Sequence, residues 1–288
     1  MPDSAFPPPF RRLGPEIPAS PVVLSVPHAG RAYTPALLAA ARLPRSRLEP
    51  LEDRLVDRLV WRAVAEGATA LIAEAPRAEI DLNRDEREID PAMVVPRPHA
   101  ATLVESARMR GGLGLIPTRI AGIGSIWRQR LTAAEVGRRV ETIHRAYHAA
   151  LAAELERARG RFGIAVLLDC HSMPPRDLSG EQPPVVLGDR HGSSIDPVLT
   201  DAAEQAVREA GYEVARNHPY AGGHITERHG RPAEGIHALQ LEIDRSIYLD
   251  RELRSPGPGF DRAARLIADV ARAIAARALE PPQAIAAE

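Results

Sequence analysis

Three stretches of this sequence carry side chains able to hold a metal ion and move a proton. Residues 22–26 run into Pro27-His28-Ala29-Gly30, residues 164–168 run into Asp169-Cys170-His171-Ser172, and Glu242 interrupts the apolar run 238–243. Two histidines and a carboxylate at the ends of apolar runs are the raw material of a catalytic zinc site, which takes three protein ligands and keeps one position open. A fourth polar stretch, Asp81-Leu82-Asn83-Arg84, stands just before Asp85. Each group also has a plainer reading. A strand-end histidine can simply be hydrogen-bonded at the surface, a strand glutamate can face solvent on an edge, and Asp81 and Asn83 can close a turn. Their shared position favours chemistry, because open α/β sheets bind ligands outside the carboxyl ends of their strands.

Such positions require a sheet to define them. Residues 22–26, 68–73, 164–168, 185–187 and 238–243 read as short apolar strands, with 78–82 as a further candidate. A helix is expected over 51–67, where Leu55, Leu59, Val60, Ala63 and Val64 fall at helical spacing and Gly67 marks a stop. A second should start at Thr132, whose Thr-Ala-Ala-Glu has capping-box spacing, and run to about residue 159. Two more are expected over 196–211 and 260–279, the last amphipathic and read as packing alone. Alternating strands and helices imply the α/β class: a mixed, largely parallel sheet flanked by helices on both faces. The run 164–168 is apolar throughout and is the natural central strand. Residues 85–130, rich in glycine and proline, read as a long insert of the kind that tends to carry function. Residues 1–21 are proline-rich and read as an extended arm over the surface. No repeat or linker divides the rest, so 22–288 are taken as a single domain.

Composition removes several alternatives. A chain of 288 residues is within reach of one α/β domain. With 37 basic and 38 acidic residues the net charge is -1, which argues against a globally basic nucleic-acid binder. Every basic residue is arginine, and without lysine neither Schiff-base chemistry nor a P-loop is available. The single cysteine, Cys170, excludes an internal disulfide framework and a Cys-rich zinc site. Strand alternation should turn it away from its neighbour His171, so a Cys–His nucleophilic pair is not expected. No apolar run approaches the roughly 18–20 residues of a membrane span, and MPDSAFPPPFRRLG lacks the apolar core of a signal peptide. The expectation is a soluble, cytoplasmic, compact protein, without nucleic acid or membrane as a partner. Its oligomeric state is not legible.

The ordered motifs Ser25-Val-Pro-His-Ala-Gly30, Asp81-Leu-Asn-Arg84, Leu168-Asp-Cys-His-Ser172, Asn217-His-Pro-Tyr-Ala-Gly-Gly223 and Leu239-Gln-Leu-Glu-Ile243 resemble those of the N-formylglutamate amidohydrolase family over most of the chain. The resemblance implies a fold like that of the zinc carboxypeptidases and a metal-dependent hydrolase, with Zn2+ as the expected divalent metal. The implied reaction removes an N-acyl group, typically formyl, from glutamate. His28 and His171 match the two metal-binding histidines. In carboxypeptidases a glutamate ligand follows the first histidine by three positions, but Arg31 stands there, so the third ligand lies elsewhere. Asp53 is the first choice, with Asp57 as runner-up and His218 or His224 as further alternatives. Glu242 matches the catalytic glutamate, acting on the attacking water as general base and then as acid. Asn83 and Arg84 match the pair that binds the substrate's carboxylate, which a guanidinium can grip through two parallel hydrogen bonds. Arg77 stands at a spacing that resembles the carbonyl-polarising arginine of the wider fold. Asn217, Tyr220, Gly222 and Gly223 form the implied substrate loop, its glycines allowing close backbone approach and Tyr220 covering the ligand. Trp127, Tyr147 and His148 also match family positions, although Tyr147 reads as helix core.

The leading expectation is therefore hydrolysis of N-formylglutamate or a close N-acyl amino acid. A deacylase or small-peptide hydrolase of other acyl preference is the alternative within enzymes. A metal- or ligand-binding protein without turnover is the alternative outside them, and the retained Glu242 speaks against it.

Overall fold

The computed structural model describes residues 8–175 and 183–281. Its centre is a seven-stranded sheet built from β1 (Phe10–Leu13), β2 (Val22–Val26), β3 (Thr69–Ala73), β4 (Ala165–Met173), β5 (Val185–Gly188), β6 (Val214–Arg216) and β7 (Ile236–Asp244). The spatial order is β1-β3-β2-β4-β7-β5-β6. The pairs β3–β2, β2–β4, β4–β7 and β5–β6 are parallel, whereas β1–β3 and β7–β5 are antiparallel. The sheet is thus mixed and largely parallel. β2, β3, β4, β5 and β7 are buried at every position, as strands covered on both faces must be.

The covering helices are α1 (Val56–Leu59), α2 (Trp61–Ala65), α3 (Ala133–Arg139), α4 (Ala146–Phe162), α5 (Pro197–Glu209), α6 (His224–His229) and α7 (Phe260–Ala278). On one face Val166, Leu168 and Cys170 of β4 pack with Leu199 of α5 and Leu266, Ile267 and Val270 of α7. On the other, Ala165 and Leu167 pack with Tyr147, Leu151 and Leu155 of α4, and with Leu115 and Ile126 of the long insert. Period-two alternation places Asp169 and His171 on that second face, beyond Ala165 and Leu167, and sends Cys170 into the opposite core. Gln240 and Glu242 follow Ile236 and Ala238 in the same way on β7, with Glu242 directly beside His171 in register. An apolar layer therefore turns polar just where the parallel strands end.

Several local expectations are corrected. Residues 10–13 are an edge strand, with Phe10 to Leu13 paired to Ala73 to Ala70, so this part of the proline-rich arm belongs to the sheet. Residues 78–82 form no strand. The Asp81 N–H instead donates to the Leu115 carbonyl of the insert, and its carboxylate is occupied as described below. The helix expected over 51–67 is broken, because the Asp53 N–H donates to the His28 carbonyl at 2.9 Å and Leu55 turns left-handed at φ 63°. Regular helix starts only at Val56. The Thr132 cap is formed, its hydroxyl accepting from the Glu135 N–H at 3.1 Å. Between α3 and α4, residues Val140–Arg145 form a π-helical turn, which the apolar periodicity does not disclose. Among the described residues no helix is long and apolar enough to cross a membrane.

Candidate functional site

His28 lies just past β2, His171 near the end of β4 and Asp53 in the segment tied to the His28 carbonyl. The structure brings the three together, each buried. Asp53 Oδ2 stands 2.9 Å from His171 Nδ1 and 3.4 Å from His28 Nδ1. The outer nitrogens are braced by other carboxylates. His28 Nε2 donates to Asp81 Oδ1 at 2.7 Å, and His171 Nε2 donates to Asp169 Oδ2 at 2.8 Å. These braces fix the ring orientations and make the inward nitrogens better donors to a metal. His28 Nδ1 is buried without a hydrogen-bond partner. An orphaned imidazole nitrogen facing a carboxylate and a second imidazole fits a divalent ion of the zinc type. Asp57, the runner-up ligand, is engaged elsewhere by Arg31 and Arg11. His218 joins neither group of converging ligand atoms among the described residues, whereas His224 belongs to a separate histidine cluster.

The carboxylates that brace the two histidines are themselves held by further donors. Asp81 Oδ2 accepts from Arg77 Nε at 2.9 Å while Oδ1 accepts from His28 and from the Asn83 N–H. Asp169 Oδ1 accepts from Ser25 Oγ at 2.7 Å. Asp-x-His on one strand places both side chains on the same face, and this period-two signal identifies Asp169 as the brace. No role had been assigned to it. Electrostatics follow the pairing. Despite burial, the two imidazoles hold Asp53 well below the usual carboxylate range, and Asp169 and Asp53 raise His171 well above 6.5. Burial pushes Glu242 up to about 7, with the nearby Asp53 adding to the rise and His171 and Arg77 opposing it.

These groups open into a cavity of about 260 Å³. Glu242, Gln240, Arg77, Asn83, Tyr220 and Gly223 line it, together with Arg84, Arg108 and Arg245. Gln240 Nε2 donates to Glu242 Oε1 at 2.9 Å, and Gln240 Oε1 accepts from the Gly223 N–H at 2.9 Å. Gly223 must lack a side chain, because a Cβ there would stand 2.3 Å from the Asn83 amide. Arg84 differs from expectation. Its Nε donates to the Leu113 carbonyl and its Nη1 to the Asn83 carbonyl, leaving a buried Nη2 without a hydrogen bond, so a two-pronged grip is not presented. Arg108 was not anticipated; it enters from the long insert, and among the described residues its guanidinium has no hydrogen bond or ion pair. Arg245 donates to Asp53 Oδ1 at 3.1 Å and to Ser172 Oγ. Asn217 does not line the cavity: it is left-handed at φ 61°, and its amide is bonded to Asp189. Gly222 also stands back, packed against Thr226 and Arg190. Trp127 and Tyr147 are core residues, the latter hydroxyl 2.9 Å from Ser25 Oγ.

A family model described as N-formylglutamate amidohydrolase matches residues 20–249. N-formylglutamate deformylase of Pseudomonas putida is 35% identical over 235 residues, covering 80% of this chain and 82% of that protein. The Pseudomonas aeruginosa protein of the same name is 32% identical over 238 residues, 81% of this chain and 83% of its own. The crystal structure of N-formylglutamate amidohydrolase from Ralstonia eutropha JMP134 is 37% identical and superposes with a TM-score of 0.85, covering 94% of this chain and 97% of that one. A gene product of Agrobacterium tumefaciens, 18% identical with a TM-score of 0.60 over 90% of this chain and 92% of that one, shares the fold. The chain belongs to the N-formylglutamate amidohydrolase family.

Proposed function

We propose that this member of the N-formylglutamate amidohydrolase family hydrolyses N-formyl-L-glutamate to formate and glutamate, using a divalent metal, Zn2+ by preference, held by His28, Asp53 and His171. One observation carries the reading: a cavity edged by Arg77, Arg84, Arg108 and Arg245 ends at two carboxylate-braced histidines and a buried glutamate. N-formyl-L-glutamate is a dianion with one amide, and it needs positive charge around its carboxylates and a proton shuttle at the carbonyl. The ion, when bound, supplies Lewis-acid polarisation of the formyl carbonyl and acidifies the attacking water.

The remaining work falls to the chain's own side chains. Glu242, with its carboxyl pushed up to about 7, sits near the ideal for a group that must both take and return a proton. Its carboxylate accepts the proton of the attacking water and then passes it to the departing nitrogen of glutamate. Gln240 Nε2 holds Glu242 in place through Oε1. Arg77, fixed by Asp81, stabilises the negative charge that develops on the formyl oxygen. Arg108 and the Nη2 of Arg84 receive the substrate's carboxylates, while Tyr220 and Gly223 close the cavity from the loop side. Asn83 places this loop by accepting the Ile225 N–H at Oδ1, 2.8 Å away.

The test is formate release from N-formyl-L-glutamate, measured before and after chelation and again after zinc is restored, beside N-acetyl-L-glutamate and N-formyl-L-alanine. The expected outcome is release that disappears on chelation, returns with zinc and favours the formylated dicarboxylate. Full activity in verified metal-free protein contradicts the metal centre, and preference for another acyl group or amino acid contradicts the substrate.

A further inference from the structure

Four more histidines gather behind Asn83, outside the cavity. His144 belongs to the π-helical turn, His148 to α4, and His224 and His229 begin and end α6. His144 and His148 are four residues apart on one helical face, with ring centroids 4.4 Å apart. His224 closes the group, its ring centroid 5.4 Å from that of His148. One nitrogen from each of His144, His148 and His224 lies within 4.8 Å of the other two.

The tautomers are fixed by what the outer nitrogens meet. His144 Nε2 donates to the Arg84 carbonyl at 2.8 Å, and His148 Nε2 donates to the Leu82 carbonyl at 3.0 Å. Each ring therefore turns a lone pair on Nδ1 toward the cluster. Imidazoles whose second nitrogen donates to a main-chain carbonyl are the arrangement found behind metal ligands. Two of the inward atoms, His144 Nδ1 and His224 Nε2, are buried without a hydrogen-bond partner, and His144 as a whole is fully buried. A buried polar atom left unpaired costs stability, so the pair calls for an occupant.

We propose that His144, His148 and His224 form a second metal site, separate from His28–Asp53–His171, that takes a divalent cation of the zinc type. Three imidazoles with no thiolate suit zinc, cobalt or nickel rather than calcium or magnesium. Burial keeps the imidazoles in the neutral form that ligates, lowering His148 well below its usual value and His224 to about 4. Asp85 beside His224 and Glu86 beside His144 offset the charge of Arg228. A tetrahedral ion at about 2.0–2.1 Å from each nitrogen draws the donors in to about 3.3 Å of one another, which asks for small side-chain rotations. It also takes over the His148 Nδ1 lone pair now shared with His229 Nε2 at 2.9 Å. The site would clamp the start of α6 to α4, and through the Leu82 and Arg84 carbonyls to the backbone on either side of Asn83. Its role is to hold the substrate loop in place.

The inference stands independently of the proposed reaction and is tested without it. Chelated protein carrying His28→Ala and His171→Ala, checked for folding by circular dichroism, is equilibrated with zinc buffered at about 1 µM free ion and analysed for bound metal. One ion per chain is expected, and adding His224→Ala should remove it. Cobalt in place of zinc should give the visible absorption of a four-coordinate site, lost in the same variant. If the double variant does not fold, His224→Ala in the otherwise unaltered chain should lower the metal content by one ion. Absence of a bound ion from the folded double variant overturns the proposal, as does metal content unchanged by His224→Ala in either background.

Discussion

Two groups of buried histidines flank Asn83, and they differ in what their outer nitrogens touch. His28 and His171 donate to the carboxylates of Asp81 and Asp169, while His148 and His144 donate to the main-chain carbonyls of Leu82 and Arg84. The consequence is opposite in sign. Flanked by Asp169 and Asp53, His171 titrates well above 6.5, whereas burial without a carboxylate partner takes His148 well below it and His229 to about 3. Before a metal binds, the same side chain carries a proton in one place and stays neutral in the other; an ion binding at His171 Nδ1 displaces that proton. Both kinds of brace fix the tautomer and orientation of the ring, and a carboxylate also sets a full negative charge behind it. The first group lines the cavity beside Glu242, and the second does not.

Removing the carboxylate brace should break the difference most visibly. Asp169→Asn keeps the shape and the contact to Ser25 but discards the charge behind His171. Loss of such a brace typically costs about 10–100-fold in metal affinity or activity. A fall of that size in kcat/KM, together with weaker zinc binding in a competition assay, is expected. Unchanged zinc affinity would mean that Asp169 is only a buried structural acid.

Gly223→Ala probes the residue between the groups. The added Cβ would stand 2.3 Å from the Asn83 amide, and overpacking of this kind costs about 1–3 kcal/mol. Because Asn83 rather than rigid backbone receives the clash, kcat/KM should fall about tenfold, with Tm lowered by only a few degrees. Kinetics and melting measured on one preparation decide between displacement at the site and general loss of packing.

The smallest effect concerns pH in chelated protein. His224 and His229, lowered to about 4 and about 3, bind protons more readily unfolded than folded. Their contribution to stability is complete above about pH 6.5 and is lost as pH falls through 4 toward 3. His171, raised instead, contributes fully below about pH 6.5 and loses its contribution as pH rises through its folded value. Tm should therefore decline by a few degrees between pH 6.5 and 4, and His224→Ala should flatten that decline. An unaltered slope in the variant would show that the second group is not responsible.

The strands were legible because a buried parallel strand needs an unbroken apolar run. Residues 22–26 form the expected strand, and 164–168 and 238–243 lie within or overlap longer strands that include His171 and Glu242. Position along a strand also brought His28, His171 and Glu242 to one end of the sheet. What failed depended on contacts distant in sequence. The break at Leu55 follows from the Asp53–His28 backbone bond, and the absence of a strand at 78–82 follows from partners at Leu115, Arg77 and His28. Neither leaves a periodic signal. That most of the Arg84 guanidinium is taken by the Leu113 and Asn83 carbonyls was not legible either, because Leu113 belongs to the long insert. Arg108 was missed because a long insert gives no register from which to place a side chain. The histidine cluster was hidden similarly, since His144 and His148 share a helical face but His224 reaches them only through the packing of α6.

The central claim is that Glu242 moves the proton in hydrolysis of N-formyl-L-glutamate beside a metal held by His28, Asp53 and His171. Its most direct test is the rate of formate release by Glu242→Gln, measured on protein whose metal content equals that of the unaltered enzyme. Glutamine keeps the size and the contact to Gln240 but cannot take a proton, and general acid–base groups contribute about 10²–10⁴-fold. The account predicts a fall in kcat of that size with metal retained and melting little changed. A metal-loaded Glu242→Gln protein that releases formate within about threefold of the unaltered rate, far short of that contribution, would contradict it.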